Sequence, residues 1–176
     1  MFSAILHEQV LAKNSRVCVG LDPRLEWLPE VVTGAALAKH GKTLAAAGEA
    51  ILTFNRQVIE VVAPLVAVIK PQLAFYEQYG IPGLQAFAET VKFAQEQGLL
   101  VIADAKRGDI DSTAEAYAKA FLGKTGIFGE SQAVFDADAL TVNPFLGEDS
   151  LLPFIKVCQE LGKGIFVLVK TSNPGS

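Results

Sequence analysis

Five short runs rich in Val, Ile and Leu recur along the chain, at residues 16–21, 66–70, 99–103, 139–142 and 164–170. Each is nearly continuous in hydrophobicity. A strand with one face in water alternates apolar and polar residues, whereas a strand covered on both faces has no need to. The runs therefore predict a parallel sheet whose faces are covered by helices. Between them lie stretches of helical pattern, at about 44–62, 82–97, 113–122 and 150–161. Strand, helix, strand in that order predicts right-handed βαβ units.

Local signals sharpen the helix ends. Ser112-Thr113-Ala114-Glu115 predicts a capping box, with Ser112 and Glu115 satisfying each other's orphan amides. Gly98 and Gly162 follow helical stretches at points where a left-handed residue ends a helix well. The segment from Phe2 to Leu11 reads as an amphipathic helix of the fold. The longest connection, residues 23–42, reads as an insertion with some helix.

Two α/β architectures fit this frame. One is a (β/α)₈ barrel of the TIM type, present as an incomplete barrel of about five βα units; the other is a five-stranded doubly wound parallel sheet. An open sheet normally ends on a helix that covers its last strand. Here the sequence stops at Thr171-Ser172-Asn173-Pro174-Gly175-Ser176, just past the fifth run, which favours the barrel. Residues 1–176 are then expected to form a single barrel domain, truncated before the last three strands.

Composition narrows the function classes. With 51% apolar residues the chain has enough to build a core, and its net charge of −4 carries no basic footprint for nucleic acid. No apolar run approaches the roughly eighteen residues of a membrane span. Cys18 and Cys158 have no metal-ligand spacing and fit a reducing, cytoplasmic setting, where both are expected to be plain core residues. His7 and His40 stand isolated and are expected at the surface or at a boundary.

The chemistry gathers at the strand ends. The first run leads into Asp22, the second ends in Lys70, and the third leads into Asp104 with Lys106 just beyond. The fourth leads into Asn143 and the fifth into Thr171 and Ser172. In a parallel β/α fold these ends share one face, and sites are built there. In the cluster Asp104-Ala105-Lys106-Arg107-Gly108-Asp109, alternation puts Asp104 and Lys106 on one side. Gly108 then permits a turn that redirects Asp109. Two lysines and two carboxylates can balance one another's charge. Such a network stabilises a fold poorly, since desolvation offsets most of the attraction, but it suits a reacting centre.

Other motifs fail. Gly41-Lys42-Thr43 and Gly123-Lys124-Thr125 lack the upstream glycine of a phosphate-binding loop, and no dinucleotide fingerprint, nucleophile elbow or zinc-protease helix is present. Phe75, Tyr76 and Tyr79 read as packing beneath the site.

At these residues the sequence resembles the orotidine 5′-phosphate decarboxylase family, in its longer bacterial branch. The resemblance rests on Asp104-x-Lys106-x-x-Asp109 with Lys70 on the preceding strand, and on Gly20-Leu21-Asp22-Pro23-Arg24, Lys70-Pro71-Gln72, Asp111-Ser112-Thr113, Thr141-Val142-Asn143-Pro144 and Thr171-Ser172-Asn173-Pro174-Gly175. It implies a lyase that converts orotidine 5′-phosphate to uridine 5′-phosphate in pyrimidine nucleotide biosynthesis, with neither cofactor nor metal. It further implies that Lys106 protonates C6, that Asp104 lies against the departing carboxylate, and that Lys70 and Asp22 hold the ribose hydroxyls. Ser172 would bond the pyrimidine, and Asn143 joins the substrate-binding set. Asp109, Ile110 and Thr113 would enter the partner's site across a homodimer with shared active sites. The family grips phosphate with loops after its last two strands, which lie past the end of this sequence, so the 176-residue chain by itself is expected to be a poor catalyst. Two alternatives are a related barrel lyase that uses a metal on a keto sugar phosphate, and an inactive fragment of the decarboxylase.

Overall fold

A computed structural model describes residues 1–175; Ser176, the last residue of the run quoted above, lies outside the described residues. Helix α1 (Phe2–Lys13) leads into strand β1 (Cys18–Leu21), a single 3₁₀ turn at Leu25–Trp27, and helices α2 (Glu30–His40) and α3 (Leu44–Val62). Strand β2 (Val68–Pro71) follows, then α4 (Ala74–Glu77), α5 (Gly80–Glu96) and strand β3 (Leu100–Arg107). Beyond β3 come α6 (Asp111–Phe121), a hairpin of β4 (Thr125–Ile127) and β5 (Glu130–Gln132), strand β6 (Ala139–Val142), α7 (Leu152–Leu161) and strand β7 (Gly164–Val167). The chain divides into two compact units, one of residues 6–101 and one of residues 1–5 with 102–176.

In the first unit β1 pairs in parallel with β2, with Gly20 opposite Lys70, and β2 pairs in parallel with the start of β3. In the second, the rest of β3 pairs in parallel with β6, and β6 with β7. Strand β3 runs from the first unit into the second. Within each unit every parallel strand lies beside its predecessor. A doubly wound sheet reverses direction at a switch point, whereas a barrel adds strands in sequence, and the pairing within each unit follows the barrel's order.

The core of the first unit is built on α3 and α5. Buried residues of α3 include Ala47, Ile51, Asn55 and Ile59, spaced four apart along one face. Gly48 on that helix lets the Pro82 carbonyl approach, since a Cβ there would stand 2.7 Å from its oxygen. Tyr76 and Phe87 meet edge to face at 5.4 Å. Fully burying side chains such as Ile51 and Ile59 contributes about 1.5–3 kcal/mol each. In the second unit Leu140, Val142 and Phe154 are fully buried, and Phe2 packs across Gly164 onto Phe166 at 6.0 Å.

Several expectations are corrected. The central strands are covered, but β1 and β7 are partly exposed, and Cys18 on β1 is exposed rather than core; Cys158 is half-buried. Both outer strands have a neighbour on one side only among the described residues, which leaves part of each in solvent. The α1 segment is helical, yet only Phe2 is buried and Ile5 and Leu11 face solvent, so its amphipathic character is weak. The capping box at Ser112 does not form. Helix α6 begins at Asp111 behind Ile110, whose carbonyl takes the Thr113 and Ala114 amides, and Ser112 falls inside the first turn. Gly98 and Gly162 do adopt left-handed conformations, with φ of 78° and 71°.

Candidate active site

Strand β3 runs four residues further than its apolar stretch, and its register against β6 breaks where the charges begin. Ala103 pairs with Leu140 and Arg107 with Val142, so three residues, Asp104 to Lys106, stand opposite Thr141 alone. Lys106 absorbs the surplus by adopting φ of 50°, a left-handed conformation that disfavours a lysine by about 1–2 kcal/mol. A bulge of this kind re-aims side chains. It turns Lys106 toward Asp104, and Lys106 Nζ donates to Asp104 Oδ1 at 2.7 Å. The two do share a side, as alternation predicted, but a bulge puts them there.

Their surroundings differ. The Asp104 side chain is 9% exposed and that of Lys106 44% exposed. The Thr141 hydroxyl donates to Asp104 Oδ1 at 2.9 Å and accepts the Lys106 backbone N–H at 2.9 Å. A dry carboxylate is thus balanced by an ammonium that a solute can reach. Arg107 leaves this group and lies over Tyr117 and Phe121 of α6, at 5.4 and 5.5 Å.

The turn after β3 works differently from expectation. Gly108 keeps a negative-φ backbone. Its small size matters because a Cβ would stand 2.7 Å from the Asn143 carbonyl oxygen. Asp109 then accepts the Ile110 amide at 2.8 Å. Ile110 and Thr113 are exposed on the loop and first turn of α6. Asn143, just past β6, is exposed; its side-chain Oδ1 accepts the Phe145 backbone N–H at 3.0 Å, and its own backbone N–H donates to Arg107 O at 2.8 Å. Strand β7 ends at Val167, not at residue 170, so Thr171 and Ser172 stand beyond it on an exposed segment.

In the first unit Lys70 is half-buried at the carboxyl end of β2, opposite Gly20 of β1. Asp22, exposed just past β1, turns back over Gly20: a Cβ there would lie 3.4 Å from its carboxylate oxygen. Two of the predicted residues thus stand at the ends of adjacent parallel strands. A cleft of about 590 Å³ lies elsewhere in this unit, among Leu25, Leu37, Leu44, Ala47 and Ala50. It is apolar and holds none of the predicted residues. Thr43 of the discarded Gly-Lys-Thr motif caps α3 by accepting the Ala46 amide at 3.3 Å. Thr141, quoted in the sequence only as part of the Thr141-Val142-Asn143-Pro144 motif and given no role there, belongs to this group.

A parallel β/α chain that carries its ionisable groups at the carboxyl ends of its strands has the layout of a barrel enzyme. Comparison with known proteins makes this specific. The family described as orotidine 5′-phosphate decarboxylase / HUMPS matches residues 15–176, and the chain belongs to that family. A relative from Rhodopirellula baltica named orotidine 5′-phosphate decarboxylase is 47% identical over 99% of this chain and 56% of its own length. One of the same name from Deinococcus radiodurans is 44% identical over 98% of this chain and 54% of its own length. The solved structure of Leishmania donovani OMP decarboxylase superimposes with a TM-score of 0.72 at 37% identity, covering 99% of this chain and 56% of that one. The chain therefore spans a little over half the length of the curated relatives it matches. Its fold is the family's β/α barrel, present here as five parallel strands with their helices.

Proposed function

We propose that the chain carries the decarboxylating machinery of a lyase that converts orotidine 5′-phosphate to uridine 5′-phosphate in the cytoplasmic synthesis of pyrimidine nucleotides. The observation that carries this reading is the buried Asp104 carboxylate bonded at 2.7 Å to the reachable Lys106 ammonium at the carboxyl end of β3. In this reading the bond from C6 to the carboxylate breaks, carbon dioxide leaves, and the electron pair stays on C6. Lys106 Nζ stabilises that pair and delivers its proton to C6; solvent then restores the ammonium. A preorganised cation aimed at charge that develops only in the transition state lowers the barrier more than it strengthens binding. Asp104 faces the substrate carboxylate, and loss of carbon dioxide relieves that repulsion.

The remaining roles follow the family resemblance. Lys70 and Asp22 hold the ribose hydroxyls, Ser172 and Asn143 approach the base, and no cofactor is used. Asp109, Ile110 and Thr113 serve the site of a second copy in a homodimer. The phosphate is held by the part of the protein that the relatives have and this chain does not match. A metal-assisted lyase acting on a keto sugar phosphate is disfavoured by the 36–47% identity to eight relatives all named orotidine 5′-phosphate decarboxylase.

The test uses an extended form, in which this chain is joined to the unmatched remainder of the Rhodopirellula baltica relative. Lys106→Ala is expected to lose nearly all turnover, at least about a hundredfold, while a uridine 5′-phosphate analogue still binds. Retention of more than about a tenth of the wild-type rate, far above that general-acid range, would remove Lys106 from the role.

A further inference from the structure

We propose that Thr141 is a positioning residue for Lys106. The proposal rests on the reading of Lys106 as the proton donor. Its hydroxyl closes a ring of three side-chain hydrogen bonds: Lys106 N–H to Thr141 Oγ1 at 2.9 Å, Thr141 O–H to Asp104 Oδ1 at 2.9 Å, and Lys106 Nζ to Asp104 Oδ1 at 2.7 Å. The direction of each bond is fixed. A backbone N–H can only donate and an ionised carboxylate can only accept, so the hydroxyl proton must point to Asp104 and a lone pair to Lys106. Thr141 is buried, and it is the single β6 residue opposite the three-residue bulge.

The ring does something that no pair within it could do. Lys106 sits at φ of 50°, a conformation that a lysine leaves unless its surroundings hold it there. The Thr141 hydroxyl holds the Lys106 backbone in that state, while Asp104 holds the far end of the same side chain. Both ends of the lysine are thereby referred to one fixed oxygen pair on β6 and β3. Displacement of a reacting group by about an ångström can lower a rate about a hundredfold. Thr141 touches neither reacting atom in this account; it fixes where the ammonium stands.

Two variants test this. Thr141→Val keeps the shape and the branched strand former but removes the hydroxyl; Thr141→Ser restores it. In this chain, hydrogen exchange of the Lys106 amide is expected to rise about tenfold or more in Thr141→Val, as for loss of one buried hydrogen bond. The Leu140 and Val142 amides should stay unchanged, and Thr141→Ser should match wild type. In the extended form, kcat of Thr141→Val is expected to fall about ten- to a hundredfold with KM within about threefold, and Thr141→Ser to recover most of it. An unchanged Lys106 amide, a joint rise of all three amides, an unchanged kcat, or a serine variant as poor as the valine one would overturn the proposal. If the wild-type extended form releases no carbon dioxide, the decarboxylase reading fails on its own, and the amide exchange still decides whether Thr141 holds Lys106.

Discussion

Tyr76 is fully buried, and its hydroxyl accepts the Asn55 side-chain amide at 2.9 Å; the same amide donates to Thr90 at 3.0 Å. Burial pushes the Tyr76 phenol well above its ordinary range; the Asn55 hydrogen bond offsets part of this, and the Asp22 charge adds a smaller push upward. The folded chain therefore keeps a proton that the unfolded chain releases near pH 10. Stability due to this group is complete below that pH and falls as pH rises beyond it, by about 1.4 kcal/mol per pH unit. Denaturant titrations from about pH 10 upward are expected to show this slope, and Tyr76→Phe to flatten it. At neutral pH the same variant should lose about 1–3 kcal/mol, because Asn55 keeps a buried donor without its acceptor. At residue scale Asp104 and Lys106 stand out in the sequence, since charges directly following an apolar strand are conspicuous. The role of Thr141 is not legible in its motif, because threonine is an ordinary strand former and what it holds depends on a register break that only pairing reveals.

Elements were legible where one pattern governed them. Strand β6 was placed to the residue because Ala139 and Leu140 lie fully buried and Thr141 and Val142 follow in the same covered run. Helix α3 was placed equally well, by a four-residue spacing that matches its buried face. Strand β3 reads short in the sequence because its last residues are charged, and the hairpin of β4 and β5 leaves no signal because its residues are mostly exposed and lack strand alternation. Glycines give a matched test of packing at this scale. Gly34 in α2 has no atom within 4 Å of a built Cβ, whereas at Gly83 in α5 a Cβ would lie 1.9 Å from the Tyr76 carbonyl oxygen. Gly34→Ala is expected to raise stability by up to about 1 kcal/mol. Gly83→Ala should lower it by about 1–3 kcal/mol or more, as overpacking does. Thermal melts of the two variants check both signs, and equal shifts would contradict the packing described for α4 and α5.

At the scale of the whole molecule a second copy enters. Asp109 follows Lys106 by only Arg107 and Gly108, yet the family resemblance sends it to the partner's site. A two-fold interface at this loop would make each subunit lend the other the same residues. Mixing inactive Lys106→Ala and Asp109→Ala extended forms should then restore activity, with about a quarter of sites intact after random exchange. A mixture that exchanges subunits and stays inactive would place Asp109 in its own subunit's site. The outer strands also matter here. Among the described residues β1 and β7 each pair on one side only, and such edges favour association. Sedimentation of this chain is expected to show concentration-dependent aggregates that the extended form lacks. The decarboxylase reading is tested most directly by release of carbon dioxide from carboxyl-labelled orotidine 5′-phosphate by the extended form, with and without a metal chelator. The account predicts carbon dioxide and uridine 5′-phosphate in equal amounts, at a rate the chelator leaves unchanged; no release, or release that stops on chelation, would contradict it.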